Sequence, residues 1–346
     1  MDDLLPIAQQ FAAPILEIVP LGNGLINDTF RVTTDSGCFV LQRINRLVFS
    51  QPEHIMANLA VLNGHIQQKA AQERLLQIPG ILRTGEGAVL YVDNQHNYWR
   101  AIHYIDNSLS IETIRNLDDA RQIGFALGHF HYLLNDLNPD LLQDTLPGFH
   151  IAPSYLAHYQ HVSQQTKIKP DAYCAGFIAD HAAIAYDLEQ AKQQGLLAVR
   201  VIHGDPKINN FLFDATRQHI ISLIDLDTVK PGLVQYDIGD CLRSCCHNET
   251  DNSFNLDIAE AILASYLAET AAFFTHYDYQ FMYAAIRLIP FELGIRFYTD
   301  YLDGDRYFKV TEASQNLRRA TTQFQLCASI IAQETAIQAL IARIKP

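Results

Sequence analysis

The stretch that decides the fold is His203-Gly204-Asp205-Pro206-Lys207-Ile208-Asn209-Asn210, followed downstream by Leu223-Ile224-Asp225-Leu226-Asp227. Short apolar runs typical of β-strands flank both segments, and turn-forming residues at 214–218 predict a hairpin between them. Because Asp225 ends the second strand of that hairpin, its carboxylate is expected to return to the loop that holds Asn210. Carboxylate and amide oxygens suit a hard cation, so Asn210 and Asp225 are predicted metal ligands.

Residues 203–210 (the HGD loop) have the spacing H-x-D-x-x-x-x-N of a kinase catalytic loop. In such a loop the Asp accepts the proton of the substrate hydroxyl and the Asn holds magnesium. Asp205 is therefore the predicted catalytic carboxylate, and His203 is expected to brace the loop. Lys207 lies where a cation would meet a transferring phosphoryl group, and a solvated loop lysine is the alternative. The simplest alternative for the whole pattern makes Asp205 and Asn210 turn residues and Asp225 a cap.

The hydrophobic period changes along the chain. From residue 15 to 105 it is mostly two, which predicts an antiparallel sheet interrupted by one helix at 52–73. After residue 107 amphipathic helices are predicted at 117–136, 153–165, 171–194, 256–275, 278–301 and 312–342. The sequence therefore predicts an α+β fold with a small sheet lobe at 1–107 and a larger helical lobe at 108–346 that contains the hairpin. Small ligands are expected in the crevice between the lobes.

Two features of the sheet lobe suit a ligand that carries phosphates. Gly22 and Gly24 lie between the first two predicted strands, where glycines allow the backbone to approach phosphates. The next predicted strand, 39–43, ends in Arg43, which is the candidate cation for the α and β phosphates. A slip of one residue in register would turn Arg43 to the other face, so an exposed strand arginine is the alternative.

The composition excludes several classes of function. With 25 Lys and Arg against 38 Asp and Glu, the formal net charge of -13 opposes an interface with a nucleic-acid backbone. No export signal is visible, and no window reaches the roughly 18 apolar residues of a membrane span. The protein is expected in the cytoplasm, without membrane or nucleic-acid partners and with its six cysteines reduced.

The order of a glycine loop, a cationic strand, the HGD loop and the LIDLD segment resembles the aminoglycoside phosphotransferase and choline kinase superfamily. That superfamily has a bilobal protein-kinase-like fold and acts on small molecules. Three stretches resemble the N-acetylhexosamine 1-kinase family more narrowly. They are FVLQRIN at 39–45, IDLDTVKPGLVQYDIGDCLR at 224–243 and GIRFYTDYLDGDRYF at 294–308.

The resemblance implies that the protein uses ATP and Mg²⁺ and acts on a small-molecule acceptor. The residues that it implies for the nucleotide and the metal are His103 and Ile105, as hinge residues that bind adenine, and Asn210 and Asp225, as magnesium ligands. Asp237 would brace the HGD loop from below, and a helix N-terminal acid is the alternative. The helix at 52–73 departs from the kinase pattern because it lacks the acid that usually pairs with the strand cation. Glu53 is its nearest glutamate.

For the acceptor, Arg296 and Tyr307 match positions that contact the sugar in the hexosamine kinases, and Asp300 lies four residues after Arg296. The Arg296 guanidinium would grip vicinal sugar hydroxyls while Asp300 fixes its orientation, and a simple intrahelical ion pair is the alternative. Tyr307 would stack on a pyranose ring or fill core space. The segment 149–152, Phe-His-Ile-Ala, departs from the FHDT-like segment of the family, so one polar contact of that family is absent here.

Together with these residues, the resemblance implies a kinase, dependent on ATP and Mg²⁺, that phosphorylates the anomeric hydroxyl of an N-acetylhexosamine or a similar reducing sugar. A kinase of the same fold acting on choline, homoserine or an aminoglycoside is the first alternative, because a fold does not fix the acceptor. A nucleotide-binding pseudokinase is the second, and the missing helix acid is its only support. The sequence makes no prediction of oligomeric state.

Overall fold

The computed structural model describes residues 4–22, 26–69 and 76–345. Its first part is an antiparallel sheet, preceded by the short helix α1 at Leu5–Ala8. The strands are β1 (Ile15–Pro20), β2 (Asp28–Thr34), β3 (Gly37–Ile44), β4 (Ile81–Leu82), β5 (Tyr91–Val92) and β6 (Tyr98–His103). They follow the order β1-β2-β3-β6-β4, and β5 also pairs with β6. Because β3 and β6 are neighbours, Gln42 lies directly opposite Arg100.

The two faces of this sheet have different neighbours, since successive residues of a strand point to opposite faces. On the outer face, Phe39 and Leu41 pack with Trp99 and with residues around α1 into a small apolar core. On the inner face, Ile44 joins the main core of the molecule together with α2 (Pro52–Lys69). Gln42 and Arg100 belong to the inner face, which therefore looks onto the rest of the chain.

The rest of the chain is a helical part with three small sheets. Its helices are α3 (Leu117–Leu134), α4 (Ala152–Gln165), α5 (Ala172–His181), α6 (Asp187–Gln193), α7 (Val234–Cys245), α8 (Leu256–Thr270), α9 (His276–Gln280), α10 (Met282–Leu302), α11 (Gln315–Ala332) and α12 (Glu334–Ile344). Its strands are β7 (Ser108–Ser110), β8 (Arg200–Ile202), β9 (Phe211–Asp214), β10 (Ile220–Leu223), β11 (Lys230–Gly232), β12 (His247–Asn248) and β13 (Ser253–Phe254). The pairings are β10-β9-β7, β11-β8 and β12-β13.

Helices α3 and α8 pack closely against each other in this helical part. A Cβ atom built on Gly124 of α3 would lie 2.0 Å from the carbonyl oxygen of Ile262, so this approach of the two backbones requires glycine. The hairpin predicted around 214–218 is confirmed, because β9 and β10 pair antiparallel with Phe213 opposite Ile220. This pairing returns the end of β10 to the HGD loop.

Three of the predicted helices are broken in the structure. The prediction at 171–194 is interrupted by a 3-10 turn at Ala182–Tyr186. The prediction at 278–301 divides at Phe281, because Thr275 caps a separate short helix, α9. The prediction at 312–342 divides at Gln333, whose side-chain amide donates to the carbonyl of Phe254 and thereby fixes the junction of α11 and α12. Hydrophobic periodicity does not register such breaks, since the apolar face continues across them.

The α+β fold class is confirmed, with an antiparallel sheet at the start of the chain and a helical part after it. All six cysteines are free thiols. No single helix in the described ranges has the length and apolar character needed to span a bilayer. The pair α11 and α12 passes that test only when the two are taken together across their 67° bend.

Candidate active site

The HGD loop connects β8 to β9, and its backbone is held by buried polar groups. Gly204 has a φ of +86°, and a Cβ atom there would lie 2.6 Å from the carbonyl oxygen of Thr228, so the position requires glycine. The ring of His203 is buried and contacts the carbonyl oxygen of Ile224 at 3.0 Å. Burial lowers the pKa of His203, which favours the neutral ring and a bracing role over proton transfer.

Asp237, in the first turn of α7, is fully buried beneath the HGD loop. Its carboxylate accepts hydrogen bonds from the backbone amides of His203 (2.6 Å) and Gly204 (2.8 Å) and lies 2.9 Å from Nε2 of His131. Burial raises the pKa of Asp237, but the contact with His131 and the amide donors outweigh it, so the pKa lies below its usual value. The expected brace is therefore confirmed, and the alternative of a plain helix N-terminal acid does not account for these contacts.

Replacing Asp237 with Ala is expected to destabilise the protein strongly, because two buried amides and His131 lose their partner. The free energy of unfolding should fall by about 3–5 kcal/mol, as for other broken buried pairs. Asp257, an exposed acid in the first turn of α8, provides the matched control, and Asp257→Ala should cost less than about 1 kcal/mol. Urea unfolding followed by circular dichroism measures both. If both variants lose the same free energy of unfolding, Asp237 is only a helix N-terminal acid.

Lys207 of the HGD loop lies between two carboxylates. Its ammonium group is 2.5 Å from Oδ2 of Asp205 and 3.9 Å from Oδ2 of Asp225. Burial lowers the pKa of Lys207, but these two carboxylates outweigh it and hold the pKa above its usual range. These ion pairs distinguish Lys207 from an unpaired loop lysine, although its side chain is 34% exposed, and its role at a phosphoryl group stays a prediction. The structure brings Asp205, Lys207 and Asp225 together, as the hairpin argument predicts.

Asp225 occupies a left-handed backbone conformation, with φ 63° and ψ 51°, two residues after the end of β10. Such conformations cost free energy in residues other than glycine and are concentrated at functional sites. Desolvation by the surrounding loops raises the pKa of Asp225 to about 6; Lys207 and Arg100 oppose this effect, and Asp227 adds to it. Its side chain nevertheless remains 41% exposed, so a ligand can reach the carboxylate.

Asn210 is buried at the end of the HGD loop and ties the two motif segments together. Its backbone carbonyl accepts from the amide of Ile224 at 2.9 Å, and its side-chain Nδ2 donates to the carbonyl of Asp205 at 2.7 Å. The latter bond uses the amide nitrogen, and the side-chain oxygen is the atom that ligates cations. In the described ranges, no group of three or more His, Cys, Asp or Glu side chains forms a ready metal cage. Mg²⁺ fits such a sparse donor set, because it is usually held by one or two carboxylates together with substrate phosphates and water.

Three residues of the sheet were predicted to bind phosphates, and the structure describes two of them, Gly22 and Arg43. Gly22, two residues after the end of β1, has a φ of +68°. Gly24 lies outside the described residues. Arg43 belongs to the outer face of β3, where its Nε donates to Asp28 at 2.8 Å and its side chain is 43% exposed. The expectation that Arg43 faces the crevice is wrong, because the register places Gln42 there instead.

Sequence reasoning missed a buried cation on the neighbouring strand. Arg100 of β6 has 2% exposure, pairs with Asp227 of the LIDLD segment and donates through Nε to the Gln42 side-chain oxygen at 2.9 Å. Asn27, just before β2, donates to the second carboxylate oxygen of Asp227 at 2.8 Å. The available signal was an arginine inside the apolar run YWRAIH, since a charge that is buried in a strand needs a partner.

The hinge segment follows β6, as predicted. The backbone amide of His103 donates to the carbonyl of Gly80 at 2.8 Å, and the carbonyl of Ile105 accepts from Oγ of Ser108 at 2.6 Å. These bonds hold the segment at the junction of the sheet and the helical part. The binding of adenine by His103 and Ile105 stays a prediction.

Arg296 of α10 lies in an aromatic pocket, defined here by Phe149, Tyr155 and Phe308. Its guanidinium carbon is 5.1 Å from the ring centroids of Phe149 and Tyr155 and 5.5 Å from that of Phe308. Tyr307 lies at the edge of the pocket, 6.0 Å away and 51% exposed. Such distances are those of cation–π contacts.

The predicted contact between Arg296 and Asp300 is wrong. Asp300 accepts hydrogen bonds at 2.8–2.9 Å from the backbone amides of residues 306–308 and at 2.9 Å from the Asn316 side chain. The carboxylate near Arg296 is instead that of Glu292, at 4.0 Å. Asp300 therefore positions the segment that carries Tyr307, because three backbone amides satisfy it better than one side chain four residues away.

His150 connects the aromatic pocket to the HGD loop. Its Nε2 lies 2.7 Å from the carbonyl oxygen of Gly204, and its Nδ1 lies 3.2 Å from the carboxylate of Glu292. Burial lowers the pKa of His150, but Glu292 outweighs it and holds the pKa above its usual value. The pocket around Arg296 is thus joined through one buried ring to the residue immediately before Asp205.

The geometry of the site can now be set beside known proteins. Residues 17–274 match the sequence model of the phosphotransferase enzyme family, and the chain belongs to that family. It is accordingly a kinase-type enzyme that transfers a phosphoryl group to a small molecule.

Solved structures with the same fold include several small-molecule kinases. The microcompartment-associated aminopropanol kinase is 14% identical, with 97% of this chain and 98% of that chain covered and a TM-score of 0.69. An aminoglycoside phosphotransferase from Alicyclobacillus acidocaldarius is 13% identical, with coverages of 98% and 95% and a TM-score of 0.64. The amicoumacin kinase hAmiN, solved with AMP-PNP and Ca²⁺, is 11% identical, with coverages of 94% and 92% and a TM-score of 0.65. At these identities the likeness shows the fold.

Proposed function

We propose that the protein is a kinase, dependent on ATP and Mg²⁺, that phosphorylates the anomeric hydroxyl of an N-acetylhexosamine or a related reducing sugar. The observation that carries this proposal is the bridge formed by His150. Its Nδ1 contacts Glu292, the carboxylate near Arg296, and its Nε2 contacts the carbonyl oxygen of Gly204, the residue before Asp205. This connection supports an acceptor site around Arg296 that adjoins the HGD loop.

The chain's own residues have distinct tasks in this proposal. Asp205 orients the acceptor hydroxyl and takes its proton, and Asp237 keeps the loop in position from below. Asn210 and Asp225 would hold Mg²⁺, which when bound offsets the negative charge of the phosphates. Lys207, held between Asp205 and Asp225, supplies a second positive charge beside the transferring group.

The charge of the pocket favours a neutral sugar over an amine. Arg296 places a permanent cation among aromatic rings, and such a cation repels protonated amino groups. Its guanidinium donors suit hydroxyl and amide oxygens, and the aromatic faces suit the apolar side of a pyranose ring. Of the two nearby carboxylates, Asp300 is bound by backbone amides, and Glu292 contacts His150 through Oε1 while its Oε2 is buried without a partner among the described residues.

A panel of acceptors tests this function. N-acetylglucosamine, N-acetylgalactosamine and other reducing sugars, together with choline, ethanolamine, homoserine and an aminoglycoside, are each incubated with ATP and MgCl₂. ADP release and product mass are then measured. The proposal expects turnover with at least one N-acetylhexosamine and background rates with the amines. Turnover with an amine alone would refute the sugar assignment and keep the family activity.

Arg296→Ala is expected to raise the KM for the sugar about 10- to 100-fold with little change in the KM for ATP. The physical reason is that a hydrogen bond to a charged group contributes about 1.5–3 kcal/mol. Arg306 supplies a matched control, because it lies next to Tyr307 but is 76% exposed, and its ion pair among the described residues is with Asp303. Arg306→Ala should change either KM less than twofold. Unchanged sugar kinetics in Arg296→Ala would remove this arginine from the acceptor site.

A further inference from the structure

Arg100 is the most deeply buried large polar side chain on the inner face of the sheet, and its hydrogen bonds are incomplete. Nε and Nη2 donate to the Gln42 oxygen at 2.9 and 2.7 Å, and Nη2 also donates to Asp227. Nη1 is buried and has no partner among the described residues. A buried N–H donor without an acceptor costs free energy, so this atom needs an acceptor that the described residues do not supply.

The inner face of β3 carries Gln42 where the kinase pattern has a cation. On β3 the inner-face residue is Gln42, and Arg43 points outward to Asp28. On α2, Asn58 is buried and donates to the carbonyls of Gln143 and Val229, and the acid Glu53 is exposed in the first turn. Among the described residues, no ion pair joins a cation of β3 to an acid of α2.

The contacts of Arg100 place it among three parts of the nucleotide site. Asp227 lies two residues after Asp225, and its second oxygen is held by Asn27, at the end of the glycine loop. Gln42 holds the guanidinium from the neighbouring strand. Gln42 and Asp227 thus hold the guanidinium through Nε and Nη2, and Nη1 is the donor that they leave free among the described residues.

We infer that Arg100 is the phosphate-binding cation of this enzyme, oriented by Asp227 and Gln42, with Nη1 donating to a phosphate oxygen of the bound nucleotide. The interlobe pair of Arg100 and Asp227 replaces the pair of strand cation and helix acid. Asn27, which precedes β2, also donates to Asp227. The pair is therefore connected both to the start of β2 and to the segment that carries Asp225. This inference rests on the proposed use of a nucleoside triphosphate.

The test compares the binding of ADP with that of adenosine, measured by calorimetry without an acceptor. In Arg100→Met, ADP affinity in the presence of MgCl₂ should fall about 10- to 100-fold, while adenosine affinity stays within about twofold of the wild type. Arg43→Met is the matched control, because the same side chain is removed from the outer face, and it should bind both ligands as the wild type does.

Arg100→Lys covers the case in which the Met variant does not fold. Lysine keeps the charge opposite Asp227 but loses the planar fork, so ADP affinity should again fall while adenosine affinity holds. Equal losses for ADP and adenosine would make Arg100 purely structural, and unchanged ADP affinity would remove it from the site. If the wild type binds neither ligand, the use of a nucleotide itself fails, and this outcome is distinct from both others.

Discussion

Asp205→Asn is expected to lower turnover by about 10²- to 10⁴-fold while the fold and nucleotide binding persist. The substitution preserves the size of the side chain and removes the carboxylate that accepts the proton of the acceptor hydroxyl. Lys207 keeps its second neighbour, since Asp225 lies 3.9 Å from the ammonium group. Steady-state ADP release, with circular dichroism and ADP calorimetry on the same preparation, measures all three properties.

The control for this experiment is Asp257→Asn, which changes an exposed carboxylate on α8 and should leave turnover unaffected. An Asp205→Asn variant that retains more than about a tenth of wild-type turnover would show that proton transfer does not depend on this residue. A variant that loses nucleotide binding as well would indicate damage to the loop, and Asp205→Glu would then be needed to separate geometry from charge.

Asp225→Ala is expected to reduce turnover at least 10²-fold and to raise the Mg²⁺ concentration needed for half-maximal activity. Asp225 carries a charged ligand group and remains accessible at the crevice, whereas Asn210 offers a neutral oxygen. Asn210→Ala should therefore be milder, at about tenfold, and excess Mg²⁺ should restore part of its activity. Titration of MgCl₂ at fixed ATP provides the measurement.

Asp257→Ala is again the control and should leave the Mg²⁺ titration unchanged. Wild-type Mg²⁺ dependence in both Asp225→Ala and Asn210→Ala would place the cation elsewhere. Stronger dependence in Asn210→Ala than in Asp225→Ala would contradict the charge argument, since a neutral ligand would then contribute more than an ionised one.

The placement of residues around the HGD loop was predictable because it depends on local spacing. A hairpin of fixed length returns Asp225 to the loop, and this holds whatever the remainder of the fold does. The brace by Asp237 was implied by the resemblance to known kinases, and the structure gives it three donors. These positions are set by short segments with strong turn and strand signals.

The errors arose where distant segments decide the outcome. Arg43 and Gln42 are adjacent in sequence, and only the pairing with β6 determines which one faces the crevice. Arg100 becomes meaningful only through Asp227, 127 residues away. The spacing of four between Arg296 and Asp300 permits an ion pair, but the following turn offers backbone amides that bind Asp300 instead.

The central claim is tested most directly by comparing N-acetylglucosamine and N-acetylgalactosamine with their 1-O-methyl glycosides as acceptors, with ATP and MgCl₂ present. Mass spectrometry and phosphorus NMR identify the products. The free sugars should yield the sugar 1-phosphate, and the methyl glycosides, which keep the shape and lose only the anomeric hydroxyl, should remain unphosphorylated. Phosphorylation of the methyl glycosides at a rate comparable to that of the free sugars would contradict transfer to the anomeric oxygen.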